Sequence, residues 1–299
     1  AHPGREGRVV VMISRTTGIS LFLAAALAFG GLGCGDDFLP ASYLNGLRVL
    51  ALVADPVEIG PADRVTITPT VYLPDGENLI SQHWSFCPFS LGPTTGYECA
   101  VPACEVSLPW DENGVVNPIP GVLVLSCIDE FAAEDLEGVP SEVPDRVEVY
   151  FSYRIASSTG EEREAVLKLG LWTMGPPAEL NQSPVVSFMS IDGTPVQPGT
   201  IAGSVTEEQE VEIRVQVNPE SLDEYTDQAG NLRTEEAIVS FYSTAGRFEY
   251  DRVSGTDARV SWKAEKLEPG QTEAEVYITV RDLRGGQVVF GPVTIPIIQ

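Results

Sequence analysis

The chain has 299 residues, of which 18 are lysine or arginine and 43 are aspartate or glutamate, so its formal net charge is −25. Such a surface repels polyanions, which excludes nucleic acid as a partner. Hydrophobic residues make up 43% of the chain, enough to form packed cores. The 28 glycines and 23 prolines favour short strands and tight turns, and the length predicts about two domains.

The first segment is typical of an export signal. Arg5, Arg8 and Arg15 precede an uncharged run from Ile19 to Gly33. This run is shorter than the about 20 residues that a membrane-spanning helix needs. A basic stretch followed by a short apolar run predicts a cleaved signal peptide over residues 1–33. The alternative is a buried helix that ends in a structural cysteine.

The end of this segment, Gly31-Leu32-Gly33-Cys34, resembles the signal of bacterial lipoproteins. The resemblance implies that Cys34 is diacylated and becomes the N-terminus after cleavage. In that family Asp directly after the cysteine is the usual signal for retention in the inner membrane, and this chain has Gly35 there. We therefore expect an exported outer-membrane lipoprotein, on the periplasmic or cell-surface face, with residues 34–45 as a tether.

Four further cysteines are expected to form disulfide bonds: Cys87, Cys99, Cys104 and Cys127. An even number of cysteines in an exported chain favours disulfides, because the compartment is oxidising. A tetrahedral zinc site is the competing interpretation, but no C-x-x-C pair is present. Four cysteines allow three connectivities, and the sequence does not choose among them.

Two segments with a period-2 hydrophobic pattern follow, 46–175 and 185–299, with a stiff linker at 176–184 that contains Pro176-Pro177. Trp84 is expected in a core, a short helix is expected over 129–138, and residues 182–299 are expected to fold alone. The predicted strands are 47–55, 64–72, 80–87, 121–127, 146–155 and 164–172 in the first segment, and 185–191, 209–217, 237–242, 258–262, 273–281 and 287–298 in the second. Strands at this spacing predict an all-β protein with one sandwich per segment.

The stretch from Val276 to Gly286 resembles the penultimate strand and hairpin of PKD-type and other bacterial immunoglobulin-like domains. The layout also resembles a group of myxobacterial lipoproteins that share an opening strand like Leu47–Ala51 and a Trp-x-x-Cys motif like Trp84–Cys87. The resemblance implies two tandem immunoglobulin-like β-sandwich domains after the signal peptide.

Motifs for catalysis and cofactor binding are missing from the sequence. His83 is expected to be a surface or core histidine, since no partner nucleophile can be placed beside it. The acidic residues, Glu235-Glu236 among them, fall at turns and strand ends and are expected to be solvated. Asp223–Asp227 with Asn231 could contribute calcium ligands, but the EF-hand spacing is absent, and we expect no metal and no cofactor.

These patterns favour a non-catalytic, lipid-anchored module for binding, adhesion or envelope structure. Its expected partners are the membrane, through the lipid, and a protein or glycan ligand. The loop between the cysteines, with Phe89, Tyr97 and Trp110, is the expected recognition surface, because such side chains are frequent in binding hot spots. The alternatives are a carboxylate-based enzyme acting on glycans and an accessory subunit of an envelope complex.

Overall fold

Strands are the main secondary structure of the described chain, and they form two sandwiches, each with its own hydrophobic core. The computed structural model describes residues 40–131, 145–175, 180–226, 230–265, 267 and 270–298. The predicted signal peptide, residues 34–39 of the predicted tether with Cys34 among them, and Pro176-Pro177 of the predicted linker lie outside the described residues. The prediction of an all-β chain is confirmed.

The first sandwich packs a two-stranded sheet against a five-stranded one. Its strands are β1 (Arg48–Asp55), β2 (Glu58–Ile59), β3 (Thr66–Tyr72), β4 (Leu79–Cys87), β5 (Val106–Leu108), β6 (Arg146–Ser157) and β7 (Glu162–Trp172). The small sheet is β1-β3, and the large sheet has the order β2-β7-β6-β4-β5. Trp84 is fully buried as predicted, stacks on Tyr153 with ring centroids 4.4 Å apart, and donates a 2.9 Å hydrogen bond to the carbonyl of Gly114.

The prediction of a strand over 121–127 is wrong, because this stretch lies in helix α1 (Pro120–Phe131). Proline suits the first position of a helix, since its missing N–H has no partner there. Val124 and Cys127 are buried three residues apart, whereas Val122 is 56% exposed, which is a helical and not a strand periodicity. The predicted helix over 129–138 overlaps the end of α1, and residues 132–138 lie outside the described residues.

The second sandwich packs two five-stranded sheets, with the orders β10-β19-β18-β14-β16 and β15-β17-β11-β8-β9. The strands of the two sheets are β8 (Val186–Ile191), β9 (Thr194–Pro195), β10 (Val205–Thr206), β11 (Glu210–Val217), β14 (Ile238–Ser243), β15 (Arg247–Phe248), β16 (Arg252–Ser254), β17 (Asp257–Lys263), β18 (Glu273–Arg281) and β19 (Gln287–Ile298). A separate hairpin consists of β12 (Glu224–Thr226) and β13 (Leu232–Thr234). Trp262 and Phe241 are fully buried between the sheets.

The end of the predicted tether is packed against the second sandwich. Ser42 and Leu44 are both buried. The amide of Leu44 donates to the carbonyl of Ser243 at 2.8 Å, and the amide of Ser243 donates to the carbonyl of Ser42 at 2.9 Å. The chain therefore meets the second sandwich before it enters the first, and residues 40–299 form one compact unit.

Candidate functional site

The outer face of the large sheet in the first sandwich carries charged and aromatic side chains. On β6 every second residue is buried in the core, because side chains alternate between the two faces of a strand. The residues of β6 that face outward are Arg146, Glu148, Tyr150, Ser152, Arg154 and Ala156. The register of β6 and β7 pairs Arg154 with Glu164 and Tyr150 with Lys168, so opposite charges and an aromatic ring share this face.

Two disulfide bonds hold the loop beside this face. Cys87 at the end of β4 is bonded to Cys99, and Cys104 is bonded to Cys127 of α1, with Cα–Cα distances of 5.6 and 5.5 Å. Of the three connectivities that the sequence allowed, the chain thus adopts the one that pairs neighbours along the sequence. Disulfide bonds of this kind are typical of proteins that fold outside the cytoplasm.

The first bridge closes a short hairpin-like loop whose tip carries Tyr97. The amide of Leu91 donates to the carbonyl of Glu98 at 2.9 Å, and the amide of Tyr97 donates to the carbonyl of Gly92 at 2.9 Å. Tyr97 has φ 64°, a left-handed conformation that is rare for a bulky residue. Backbone conformations of this kind persist where the surrounding structure enforces them, frequently at binding sites.

The side chain of Tyr97 lies over Tyr150 of the outer face. The two ring centroids are 5.7 Å apart and the ring planes are inclined by 36°. Tyr97 remains 38% exposed, and both rings border a pocket of about 220 Å³. Burial, with the nearby carboxylate of Glu148, raises the pKa of Tyr150, so its hydroxyl stays protonated and donates a 3.5 Å hydrogen bond to Oε2 of Glu148.

A shared acceptor joins the polar groups next to these rings. Oε1 of Glu164 accepts a hydrogen bond from the Ser152 hydroxyl at 2.5 Å and from Nε of Arg154 at 3.0 Å. Arg154 and Glu164 also line a second pocket of about 480 Å³, which continues along the sheet to His83. His83 is exposed, as expected for a surface histidine. We call the surface formed by Ser85, Tyr97, Tyr150, Ser152, Arg154 and Glu164 the outer groove.

The three aromatic residues of the predicted recognition loop have different positions. Tyr97 borders the outer groove and Trp110 is 42% exposed after β5, outside the residues that line either pocket. The expectation that Phe89 is exposed is wrong: it is 6% exposed and belongs to the core of the first sandwich. The loop thus contributes Phe89 to the core and not to the exposed surface.

Tyr150, Arg154 and Glu164 were not singled out from the sequence. Each lies in a strand that the sequence does predict, and Tyr150 and Arg154 stand between two buried residues, whereas Glu164 lies between the exposed Arg163 and the half-buried Ala165. The signal that could have found them is the pairing of β6 with β7, because only the register brings Arg154 opposite Glu164.

A buried ion-pair network joins the two sandwiches. Glu58 of β2 is 1% exposed, and its Oε1 lies 3.0 Å from Nη2 of Arg146 and 3.2 Å from Nη2 of Arg284. Nη1 of Arg284 lies 2.8 Å from Oε1 of Glu235. Arg284 belongs to the β18–β19 turn of the second sandwich, so one guanidinium group connects a carboxylate from each sandwich. We call Glu58, Arg146, Glu235 and Arg284 the junction network.

The expectation that Glu235 is solvated is wrong, because its side chain has no exposed area. Burial raises the pKa of Glu235 to about 7, against the opposing effects of the backbone of Asp223 and the charge of Arg284. Burial also raises the pKa of Asp282, whose Oδ1 accepts hydrogen bonds from the amides of Arg284 at 2.7 Å and Gly286 at 2.9 Å. Both carboxyl groups lie inside the protein with protein partners, which suits a structural role in the junction.

The described residues contain no cluster of three or more His, Cys, Asp or Glu side chains arranged to hold a metal ion. Of the calcium ligands considered from the sequence, Asp227 lies outside the described residues. Within the described ranges, no helix has the length and apolar character needed to cross a membrane.

No protein-family model and no curated protein matches the chain. Among solved structures, the D00-D0 domain of intimin is similar over 85% of this chain and 99% of its own, at 9% identity and a TM-score of 0.25. The fibronectin(III)-like modules of Clostridium thermocellum CbhA match over 85% of this chain and 94% of theirs, at 10% identity and a TM-score of 0.25. A 1.5-MDa bacterial ice-binding adhesin matches over 84% of this chain and 65% of its own, at 13% identity and a TM-score of 0.24. Likeness at this level carries no functional argument, and the fold class rests on the strands and cores described above.

Proposed function

We propose that the chain is a non-catalytic binding module of the bacterial cell envelope, anchored by lipid on Cys34, which takes a glycan chain in the outer groove. The observation that carries this proposal is the placement of Tyr97 over Tyr150, next to the shared acceptor Glu164, on the open face of a sheet. Tyrosine rings contact the C–H faces of sugars, and a carboxylate–guanidinium pair supplies acceptors and donors for ring hydroxyls.

The shape of the groove favours an extended ligand. The pockets of about 220 and 480 Å³ follow one another along the sheet and share Arg154 and Glu164. An extended glycan chain fits two consecutive shallow pockets, whereas a compact protein partner would need a broader contact surface of about 800 Å². The disulfide from Cys87 to Cys99 holds the loop that presents Tyr97, and this preorganisation lowers the entropy that binding must overcome.

Binding of residues 40–299 to an array of bacterial envelope polysaccharides tests this function. We expect saturable binding to at least one glycan, and Tyr97→Ala should weaken it at least tenfold, equivalent to about 1.4 kcal/mol. Tyr250→Ala is the matched control, because Tyr250 is an exposed tyrosine of the second sandwich with 59% exposure. Equal affinities of the two variants would contradict the proposal, and release of shorter glycans from the array would favour an enzyme instead.

Cell fractionation tests the lipid anchor separately. The full chain is expected in the outer membrane, and Cys34→Ser should release it into soluble fractions, because the variant has no thiol at position 34 to carry the lipid. Membrane association of the Cys34→Ser variant would overturn the anchor without touching the proposed role of the outer groove.

A further inference from the structure

A cleft of about 770 Å³ lies between the two sandwiches, and it shares no lining residue with the outer groove. Clefts of this volume at domain interfaces are common binding sites. Glu58, Arg146 and Arg284 of the junction network line it on one side. On the other side it is lined by the β12–β13 hairpin, through Glu224 and Tyr225.

The basic groups of the cleft already have carboxylate partners. Arg146 and Arg284 pair with Glu58, as described above, and Nζ of Lys168 lies 3.0 Å from Oε1 of Glu148. The acidic groups of the hairpin side have none: Asp223 and Glu224 have no basic partner among the described residues. The lining of the cleft therefore has one more acidic than basic side chain, and the excess lies on the hairpin side.

Aromatic and apolar groups line the same cleft. Trp172 and Tyr225 are both half-buried in its wall, and the guanidinium carbon of Arg284 lies 4.7 Å from the ring centroid of Tyr225. Leu283 is 66% exposed at the cleft and has φ 68°, so a bulky apolar side chain is presented to solvent from a left-handed conformation. Aromatic faces attract cations, and apolar groups can cover the aliphatic part of a long side chain.

An unpartnered acceptor also lines the cleft. Asn181 is 4% exposed, its amide N–H donates to Oε2 of Glu58 at 3.3 Å, and its Nδ2 donates to Oδ2 of Asp282 at 3.1 Å. Its side-chain oxygen accepts no hydrogen bond. Buried polar atoms are nearly always paired in folded proteins, so this oxygen lacks a donor that a ligand could supply.

We propose that the cleft binds a basic side chain, arginine or lysine, presented by an extended segment of a partner polypeptide. The carboxylates of Asp223 and Glu224 pair with its charge, Trp172 and Leu283 cover its aliphatic stem, and the Asn181 oxygen accepts one of its N–H groups. The net charge of −25 strengthens this preference, because a basic segment is drawn to the whole surface and an acidic one is repelled. The site is independent of the glycan that the outer groove is proposed to take.

A peptide titration followed by NMR tests the cleft. The probe is acetyl-Gly-Gly-Arg-Gly-Gly-amide, added to residues 40–299 at physiological salt, and its control carries citrulline, a neutral analogue of arginine. We expect the arginine peptide to shift the indole N–H signal of Trp172, while the signal of the core residue Trp262 stays in place. The citrulline peptide should bind at least tenfold more weakly.

Matched charge variants separate the cleft from general electrostatic attraction. Asp223→Asn with Glu224→Gln should weaken the arginine peptide at least tenfold. Asp75→Asn with Glu112→Gln changes the charge equally at exposed sites of the first sandwich and should leave binding within twofold. Equal weakening by both pairs, equal binding of the citrulline peptide, or no shift of the Trp172 signal would each overturn the proposal. Tyr97→Ala should leave this binding unchanged, so failure of the outer groove and failure of the cleft are distinguishable.

Discussion

The two sandwiches cover their cores by different means. In the second sandwich each five-stranded sheet is covered by another five-stranded sheet, and no cysteine is present after residue 180. In the first sandwich a two-stranded sheet faces a five-stranded one, so part of the core lies beyond the reach of β1 and β3. The remaining cover comes from irregular segments: Phe89, Val101, Leu108 and Val124 are core residues of the loop, β5 and α1.

The disulfide bonds lie where regular sheet is missing. Cys104 and Cys127 are themselves core residues, and each bridge ties a covering segment in place. A loop lacks the ladder of hydrogen bonds that holds a strand, and a covalent bridge offsets this by restricting the unfolded chain. The comparison teaches that disulfide-bridged loops can cover a sandwich core in place of strands. The bridged segments cover the inner face of the five-stranded sheet, and its opposite face carries the outer groove.

Removal of both disulfides should give the largest effect. The variant Cys87→Ser, Cys99→Ser, Cys104→Ser, Cys127→Ser should lose about 2–4 kcal/mol of unfolding free energy per bridge. Hydrogen exchange measured by mass spectrometry should show faster exchange in β4, β5 and α1, while β11, β17 and β18 keep their protection. Equal loss of protection in β17 would mean that the second sandwich depends on the bridges too.

Arg284→Met, measured at about pH 8 where Glu235 is ionised, should have the next largest effect, because it leaves the buried carboxylate of Glu235 without its cation. Loss of one partner of a buried ion pair costs about 3–5 kcal/mol. We expect the lower end of that range, since Arg146 still neutralises Glu58. Arg247→Met is the control, as Arg247 is exposed on β15. Chemical denaturation should show a clear loss for Arg284→Met only, and a loss in both variants would point to packing of the long side chains.

The pH dependence of stability tests the charge state of the junction. The pKa of Glu235 is raised from 4.5 to about 7, so the folded state binds the proton more tightly than the unfolded state. The resulting stabilisation is fully present below pH 4.5 and is lost as the pH rises through 7. The unfolding free energy of the wild type, measured relative to that of Glu235→Gln, should therefore fall as the pH rises from 4.5 through 7. A relative unfolding free energy that rises with pH would show that Arg284 keeps Glu235 ionised.

Tyr97→Gly should have the smallest effect on stability. Glycine removes the left-handed strain of about 1–2 kcal/mol. The same change removes a ring contact with Tyr150 worth about 0.5–1.5 kcal/mol. Urea denaturation should place the variant within about 0.5 kcal/mol of the wild type. A loss of more than about 2 kcal/mol would mean that Tyr97 is needed for the fold of the loop and not for the groove.

Long strands could be predicted from the sequence, whereas short elements and buried charges could not. The period-2 pattern predicts 146–155 and 273–281, and the strands span Arg146–Ser157 and Glu273–Arg281. Elements of two or three residues, such as β2 and β5, are too short to show a period. The apolar run at 121–127 contains β-branched residues that favour a strand, and the helix forms because its buried positions recur every three residues.

The candidate sites were only partly predictable. The disulfide cysteines could be predicted because cysteines of exported chains usually form disulfides. Tyr97 could be predicted because tyrosine is frequent in binding hot spots. The burial of Glu58 could not, since its partners Arg146 and Arg284 lie 88 and 226 positions away along the chain. Pairings over such distances depend on how the two sandwiches meet, which no local pattern records.

The contacts of β1 with the second sandwich constrain the order of folding. The carbonyls of Leu50 and Leu52 accept hydrogen bonds from the side chains of Arg281 and Gln287, which lie 231 and 235 positions later. Contacts of such high sequence separation form late, because the loop they close is costly in entropy. During synthesis the first sandwich leaves the ribosome before Arg281 and Gln287 do. The carbonyls of Leu50 and Leu52 therefore lack these partners until β19 has folded. Pulse-labelling hydrogen exchange should therefore find the amide of Leu44, which bonds to Ser243, among the last to gain protection.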